Sequence, residues 1–538
     1  MYGFLKTNMD DDRISYLPPF IIHQILSHLS RKQVAQTSVL SKRWNHLRAS
    51  FPIFNFDETD LFKTDLDMRL ASEEEFCERI ENFMKFIDAS LVRFCEHKVS
   101  MQALRLLISL VDVEGLPCSF ENWIRLAVEN DVKELDITIK TDENKLYILP
   151  QIIFFAKLLT TLKLNGFKLE KPPDTIRFCF LKKLKLVRVH ISEPMVQKIT
   201  SDCVLLEELY FLHCWGLKCV YICKPDGLKI LHIQIAPNEH ERVKIDILGL
   251  QQCDLMLYQR SCEIDMNGCS QLKDLRLGCC IFRDREFHYF LSKFPLLENL
   301  SMHTCHYIER IKFSSDRLKN LSIGNCSYLE AIDVDTPNLL SFVYQNDTLP
   351  ISSMNAPCPW IVRLVIEGDL DTTWYLKLKK FLAASTEIKE LTLYCTSNKV
   401  LFDLEEFRRV SPSPPYKVCY VSLFPTILPS DYETLLDALL WICYPKCLSV
   451  EAWDKKDHIN LIESIYVILT NRDLNCCNSC DFKCWRHYLK DVKIESFLPL
   501  VDPNPIIIDN LMDVLPNLPP GSLRLHLDWC FSGVDEMI

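Results

Sequence analysis

The stretch LTTLKL at residues 159–164 sets the pattern on which the fold of this chain depends, and LKKLKL at residues 181–186 repeats it. Alternate residues of a β-strand point to opposite faces, so the spacing L-x-x-L-x-L places two leucines on one side of a short strand. The lysines between them fall on the other side. A chain that repeats such a unit buries its apolar side against the neighbouring copies.

Further copies of the pattern follow at a regular distance. Their steps are 21 to 27 residues, apart from two double steps of 43 and 44, and their second apolar anchors are Leu162, Leu184, Leu209, Leu231, Leu275, Leu300, Leu321, Leu364 and Leu391. Degenerate copies around Cys253 and Phe342 fill the double steps. A period of about 20–29 residues with this spacing is typical of leucine-rich repeats. We therefore predict an α/β protein: a curved solenoid with inner parallel strands and outer helices or irregular segments.

The position after each repeat strand predicts a role for several of the 25 cysteines. The ninth position of a copy turns the chain inward and is occupied by Cys214, Cys280, Cys305 and Cys326. We interpret these as small buried side chains, with redox or metal chemistry as the alternative. The residues expected to face solvent between the anchors are chemically mixed and leave the bound substrate undetermined: Lys163, Lys185, Tyr210, His232, Arg276, Ser301, Ser322, Val365 and Thr392.

A different periodicity marks residues 13–50, RISYLPPFIIHQILSHLSRKQVAQTSVLSKRWNHLRAS. Two prolines suit the opening of a helix, and Ile22, Ile25, Leu26 and Leu29 then recur at i, i+3, i+4 and i+7, one face of a helix. About forty residues in short helices cannot bury this much apolar surface among themselves. Either the rest of the chain or another protein must cover it.

The same segment resembles the F-box, in the form typical of plant proteins. The resemblance is carried by Leu17-Pro18, Ile25-Leu26 and Arg43-Trp44, although Pro19-Phe20 stands where an acidic residue is more usual. It implies an all-α F-box that docks on a Skp-type adaptor, and through it on a cullin–RING ligase. The adaptor-binding positions that the resemblance implies are Leu17, Pro18, Ile22, Ile25, Leu26, Leu29, Val39, Leu40 and Trp44.

The chain divides on these patterns into five regions. We predict an N-terminal tail (1–12), the F-box (13–50), a helical linker (51–110), the leucine-rich repeats (111–410) and divergent terminal repeats with a cap (411–538). The boundary at 411 rests on the extended segment SPSPP at residues 411–415. Residues 484–496, CWRHYLKDVKIES, resemble the FBD-type region that follows the repeats in many plant F-box proteins.

One cluster near the C-terminus has the composition of a zinc site: Cys476, Cys477, Cys480, Cys484 and His487. No second ligand pair lies at knuckle distance, and on a helix Cys477, Cys480 and Cys484 would share one face. We therefore favour ordinary burial and expect neither a metal nor a cofactor.

Composition narrows the function further. The net charge is −11 and the sequence has no basic stripe, so we expect no nucleic-acid partner. The sequence also has neither a long apolar run nor an apolar leader. We therefore predict a cytoplasmic and/or nuclear location and no membrane partner. No catalytic signature is present in the sequence, so we do not expect this chain to be an enzyme. The resemblance implies the substrate-recognition subunit of a Skp–cullin–F-box ubiquitin ligase with an unidentified protein substrate. A small-molecule receptor and a non-ligase scaffold are the alternatives.

Overall fold

The computed structural model describes fifteen stretches of the chain, and the statements below concern them. They are residues 17–29, 31–61, 73–109, 116–140, 146–169, 171–235, 242–258, 262–355, 360–384, 388–396, 399–452, 455–472, 483–496, 506–508 and 523–530. The chain divides into two compact units, Met1–Ser270 and Gln271–Ile538. None of the described helices is both long and apolar enough to cross a membrane.

The first unit opens with a small helical module, as the apolar periodicity predicts. It consists of α1 (Pro19–Ser27), α2 (Arg31–Gln36), a 3-10 turn at Thr37–Val39 and α3 (Lys42–Ala49). Pro19 begins α1, where a missing N–H costs nothing. The hydroxyl of Ser41 accepts a hydrogen bond from the Trp44 amide (3.2 Å) and caps α3.

The rest of the first unit alternates strands with helices and turns. Its helices are α4 (Glu73–Cys95), α5 (Leu116–Glu129) and α6 (Glu193–Asp202). Its strands are β1 (Ile53–Asp57), β2 (Ala103–Ser109), β3 (Glu134–Lys140), β4 (Tyr147–Ile148), β5 (Thr161–Asn165), β6 (Phe167–Leu169), β7 (Lys183–Val187), β8 (His190–Ile191), β9 (Glu208–Cys214), β10 (Cys219–Ile222), β11 (Ile230–Ile235), β12 (Arg242–Ile245), β13 (Gln252–Leu257) and β14 (Glu263–Asp265).

Parallel pairing joins the main strands in the order β1-β2-β3-β5-β7-β9-β11-β13. The register aligns the second anchors predicted from the repeats, so that Leu162 lies opposite Leu184, and Leu231 opposite Cys253 of the degenerate copy. These anchors are buried. Two smaller parallel sheets, β4-β6-β8 and β10-β12-β14, follow the main strands along the chain.

The predicted helical linker at 51–110 is only partly helical. Helix α4 occupies its centre, but β1 and β2 flank it and enter the main sheet, with Phe54 opposite Leu104 and Phe56 opposite Leu106. The parallel sheet therefore begins at Ile53, well before residue 111. The apolar alternation of these strands was masked in the sequence by the strong helical periodicity between them.

The second unit continues the same construction. Its helices are α7 (Asp284–Leu291), α8 (Thr372–Ala384), α9 (Leu404–Val410), α10 (Tyr432–Leu440), α11 (Lys455–Thr470) and α12 (Trp485–Tyr488). Its strands are β15 (Asp274–Gly278), β16 (Asn299–His303), β17 (Arg310–Ser314), β18 (Asn320–Gly324), β19 (Ala331–Asp335), β20 (Ser341–Gln345), β21 (Ile351–Asn355), β22 (Trp360–Ile366), β23 (Leu370–Asp371), β24 (Ile388–Cys395), β25 (Val400–Leu401), β26 (Tyr416–Pro425), β27 (Cys443–Val450), β28 (Leu489–Ser496), β29 (Ile506–Ile508) and β30 (Leu523–Trp529).

Parallel pairing runs β15-β16-β18-β20-β22-β24-β26-β27. One predicted register is wrong: Phe342 and Leu391 both lie opposite Val362, so Val362 and not Leu364 is the second anchor of its copy. The steps around it are therefore 20 and 29 residues. Val362, Leu364 and Ile366 are all buried on one side of β22, so the alternation of apolar residues alone allows a register shifted by two residues.

The parallel strands also continue past the predicted boundary at 411. Strand β26 pairs with β24 across it, and the ammonium group of Lys379 donates hydrogen bonds to the carbonyl oxygens of Ser411 and Ser413. The change comes later, because β30 pairs antiparallel with β27, and β28 with β30. The segment 484–496 forms α12 and β28 within this antiparallel part.

The four ninth-position cysteines are buried at the turn that follows each strand. The residue before each of them has a positive φ, between 52° and 55°: His213, Cys279, Thr304 and Asn325. The thiol of Cys214 donates to the carbonyl oxygen of Leu186 at 3.5 Å on the adjacent strand. A small side chain is needed where the backbone turns this sharply toward the interior.

Candidate docking surfaces

The helical module has a hydrophobic core of its own. Five buried side chains form it: Ile22, Leu26, Trp44, Leu47 and Phe51. The partly buried residues packed against them are Leu17, Leu29, Val34 and Ile53, so nearly all of the cluster comes from the module itself. The module is thus built around an interior, with the first residue of β1 at its edge.

Polar contacts fix the three helices around this core. The guanidinium of Arg43 donates to the carbonyl oxygen of Leu17 (2.8 Å), which ties α3 to the entry of α1. The imidazole of His23 lies 3.1 Å from the carbonyl oxygen of Leu47, and burial lowers the pKa of this imidazole. The Arg-Trp pair of the sequence pattern therefore acts structurally: the arginine closes the module and the tryptophan fills its centre.

The structure divides the nine predicted adaptor-binding residues into three groups. Ile22, Leu26 and Trp44 are buried in the module's core and present no surface to another protein. Leu17 and Leu29 are half-buried against that core. The exposed residues are Pro18, Ile25, Val39 and Leu40, although Ile25 is only 38% exposed.

One exposed residue was overlooked in the sequence. Phe20, treated there as a departure from the F-box pattern, has 67% of its surface exposed on the first turn of α1. A large exposed aromatic in so small a module is typical of an interface anchor. The signal that could have identified it is its spacing: residue 20 lies outside the i, i+3, i+4 stripe that starts at Ile22.

The strand face of the first unit carries a row of charged and polar side chains. Lys163, Lys185, Tyr210 and His232 lie in one register, as predicted. Several of these groups already have partners: Lys163 bonds Asp136 (2.9 Å), and His232 lies 3.3 Å from a carboxylate oxygen of Asp254. Charges that neutralise each other on one surface leave less affinity for a partner.

A hydrogen-bonded group of three residues lies in the middle of this face. Lys183 bonds Glu208 and lowers the pKa of its carboxyl, and the hydroxyl of Tyr210 donates to Glu208 at 2.9 Å. Burial, with the Glu208 hydrogen bond, raises the pKa of Tyr210 to about 12. The ring of Tyr210 stacks on His232 at 4.7 Å between centroids. The polar groups in this part of the face therefore already have partners within it.

The strand face of the second unit is different in chemistry. Arg276, Ser301, Ser322 and Thr392 occupy one row, but the row runs through Val343 and Arg363, so Arg363 replaces Val365 in it. The prediction that Thr392 faces solvent is wrong, because its side chain is only 2% exposed. The neighbouring row holds Val365 with Tyr394 and Phe424, whose rings stack at 4.5 Å. These three side chains are half-buried. This face therefore combines serine hydroxyls and two arginines with aromatic rings.

The cysteine and histidine cluster weighed in the sequence is mostly not described. Cys476, Cys477 and Cys480 lie outside the described residues. Cys484 is buried directly before α12, and the amide of His487 donates to the Cys484 carbonyl oxygen. The prediction that this cluster packs without a metal stays a prediction.

Comparison with protein families assigns the segments separately. The F-box domain family model matches residues 14–51. The family described as FBD-associated F-box protein At5g56370, LRR repeats, matches residues 120–248, and At1g61320/AtMIF1, LRR domain, matches residues 238–404.

Individual relatives come from Arabidopsis thaliana. F-box/FBD/LRR-repeat protein At5g56420 is 30% identical over 255 residues, 46% of this chain and 56% of the relative. Putative F-box/LRR-repeat protein At5g41840 is 32% identical over 206 residues, 37% of this chain and 36% of the relative. Putative F-box protein At1g49610 is 27% identical over 288 residues, 51% of this chain and 66% of the relative. The chain thus spans roughly a third to two thirds of the length of these relatives.

Residues 14–51 thus match the F-box domain, and the residues that follow match leucine-rich-repeat families, one of them FBD-associated. This arrangement is similar to that of the F-box/FBD/LRR-repeat and F-box/LRR-repeat relatives from Arabidopsis thaliana.

Proposed function

We propose that this protein is the substrate-recognition subunit of a Skp–cullin–F-box ubiquitin ligase. The F-box binds a Skp-type adaptor, and the repeat strands bind a target protein. The observation that carries the proposal is a module that completes its own core and still exposes apolar side chains. The chain performs no transfer chemistry in this proposal. It raises the effective concentration of a target lysine near the charged ubiquitin carrier.

The adaptor surface consists of the exposed apolar side chains of the module. Val39 and Leu40 are 84% and 64% exposed at the turn before α3, and Phe20 and Ile25 are exposed on α1. Exposed Phe, Leu and Val in a segment of this size cost solubility unless a partner covers them. Phe20 is the expected hot spot, since large aromatics in interfaces contribute most.

The test is the double variant Val39→Asp with Leu40→Asp in the full chain. Both side chains are exposed, so the module stays folded, and two charges placed in an apolar interface abolish capture of a purified Skp-type adaptor. Adaptor pull-down with circular dichroism of the same sample measures this. Variants of Trp44 or Leu26 serve less well, because they remove the core and unfold the module.

A matched control lies in the repeats. Val204 and Leu205 are also adjacent and are 64% and 45% exposed. The double variant Val204→Asp with Leu205→Asp adds the same charge far from the F-box in the sequence. We expect it to leave adaptor capture unchanged. Equal capture by the two double variants would contradict the proposed surface.

The target surface in this proposal is the strand face of the second unit. Stacked Tyr394 and Phe424 offer aromatic area, and the hydroxyl of half-buried Ser422 lies in the adjacent row. The paired charges of the first unit make its face the weaker candidate. Aromatic anchors beside adaptable hydrogen-bonding groups are common in protein-binding surfaces.

Substrate trapping tests this half of the proposal. The Val39→Asp, Leu40→Asp chain retains targets without passing them to the ligase. Its captured proteins are compared with those captured by the same chain that also carries Tyr394→Ser. Proteins enriched only by the first chain are the targets. Made alone in the wild-type chain, Tyr394→Ser leaves adaptor binding unchanged. Enrichment that depends on an added metabolite would favour the small-molecule receptor instead.

The proposal includes a cytoplasmic and/or nuclear location. A chain with 25 cysteines keeps its thiols reduced there, and its partners act in the same compartments. Fluorescence microscopy of a tagged full chain checks this location, and fluorescence in the secretory pathway would contradict it.

A further inference from the structure

Three strands of the C-terminal antiparallel part bring together one cysteine, one glutamate and one histidine. Cys447 lies on β27, Glu495 on β28 and His526 on β30. Strand β30 runs between the other two, with Cys447 directly opposite His526 and Glu495 opposite the nearby Arg524. The residues are far apart in sequence and belong to no motif.

The distances between the three side chains are those of a metal site. Nδ1 of His526 lies 3.7 Å from Sγ of Cys447 and 3.3 Å from Oε1 of Glu495. All three ligand atoms lie within 4.8 Å of one another. Zinc bonds of about 2.0–2.3 Å to N, O and S put neighbouring tetrahedral ligands roughly 3.3–3.8 Å apart.

The outer nitrogen of the histidine is held as metal-binding histidines usually are. Nε2 of His526 lies 3.2 Å from a carboxylate oxygen of Asp528, whose other oxygen accepts a hydrogen bond from Lys493 (2.7 Å). A histidine that donates its second N–H to a carboxylate has its tautomer fixed. The lone pair of Nδ1 then faces Cys447 and Glu495.

The burial of the group fits a ligand set with one open position. Cys447 is 5% exposed, and the side chains of Glu495 and His526 are 15% and 21% exposed. An ion there would be screened from bulk water on most sides yet reachable on one.

We propose that Cys447, Glu495 and His526 bind one Zn²⁺, with a water molecule as fourth ligand. Sulfur, imidazole and carboxylate together match zinc, whereas calcium and magnesium prefer oxygen alone. Binding releases the Cys447 thiol proton to solvent, and the thiolate with the carboxylate balances the dipositive ion. The ion ties the last parallel strand, β27, to β28 and β30.

The competing interpretation is a plain ion pair. A protonated His526 between Glu495 and Asp528 accounts for two of the distances without any metal. It gives Cys447 no role, so the thiol distinguishes the two interpretations.

Cobalt substitution in the full chain provides the test. After treatment with a chelator, one equivalent of Co²⁺ gives a thiolate-to-cobalt charge-transfer band and tetrahedral d–d bands. Cys447→Ser abolishes the charge-transfer band, and Glu495→Gln weakens binding while the chain stays folded. Asp528→Asn keeps the band but lowers affinity about 10–100-fold, the effect of an outer-shell partner.

Two controls separate this site from the other cysteines. Cys419→Ser changes an exposed thiol on the adjacent strand β26 and leaves the spectrum unchanged. A Cys477→Ser, Cys480→Ser chain does the same. Loss of the band in that chain, or equal spectra for wild type and Cys447→Ser, overturns the proposal. Should Cys447→Ser misfold, Glu495→Gln and Asp528→Asn still decide it through their affinities.

Discussion

The helical module and the repeats bury their apolar residues differently. In the module, Ile22 and Leu26 are fully buried while Val39 and Leu40 remain in solvent. In the repeats, each strand anchor such as Leu184 or Leu321 is covered by the copies before and after it. An exposed apolar residue in the repeats is a scattered single case or a pair such as Val204 and Leu205.

The difference follows from geometry. Three short helices enclose only the side that faces their common axis, because a segment of this size has too much surface for its volume. A stacked array offers two neighbours to every copy except those at its two ends. What the module leaves exposed is therefore informative about partners, whereas what the repeats expose between their anchors is informative about targets.

The largest expected effect is in the array. Trp360→Ala removes a fully buried ring that packs on Phe342 and Phe381, with ring centroids 6.3 and 6.1 Å away. We expect a loss of about 3–5 kcal/mol in the free energy of unfolding. Urea unfolding of the full chain measures it, with hydrogen exchange across β20, β22 and β24. A loss below about 1 kcal/mol would mean that the array is not continuously packed there.

A slightly smaller change in the module has a more local result. Leu26→Ala lowers the free energy of unfolding of the module by about 2–5 kcal/mol. Because the module's core has only five buried side chains, this loss is a large fraction of its stability. We expect hydrogen exchange of α1–α3 to become fast while that of β5–β13 is unchanged. Ile25→Ala, one residue away and exposed, is the control. Loss of protection in both regions would show that module and repeats unfold as one.

Alkaline pH tests the burial of the thiols. Burial raises the pKa of Cys214, Cys395 and Cys443 from 9.0 to about 12. The unfolded thiols ionise first, so their contribution to stability is complete below pH 9 and is lost as pH rises from 9 to 12. Each thiol changes the slope by about 1.4 kcal/mol per pH unit in this window.

The measurement is the urea midpoint at a series of pH values for wild type and Cys395→Ala. The variant loses stability less steeply between pH 9 and 11. Cys419→Ala, at an exposed position, follows the wild-type slope. The prediction is wrong if both variants have the same slope.

The smallest expected effect is on the module's surface. Val39→Ser changes the free energy of unfolding by no more than about 0.5 kcal/mol, since the side chain is exposed. Adaptor affinity nevertheless falls. A large destabilisation measured in the isolated chain would show that Val39 packs inside the protein, and the comparison between module and repeats would lose its basis.

The two cysteine clusters show where sequence analysis ends. Cys477 and Cys480 attract attention because they are only three residues apart in the sequence. Cys447 and His526 are 79 residues apart and become neighbours only when β30 returns against β27. Sequence spacing can identify metal ligands that share a loop or helix. It cannot identify ligands that are brought together only by strand pairing.

The sequence by itself determined the repeat strands and the F-box segment. Both depend on short-range periodicity, of two residues in a strand and 3.6 in a helix, which any local stretch displays. The tertiary structure alone decided that Ile25 stays exposed while Ile22 and Leu26 of the same stripe are buried. It also decided that β1 and β2 join the sheet and that Val362 is an anchor. Burial and register depend on the neighbours that a residue meets in space, and one-dimensional periodicity does not specify those neighbours.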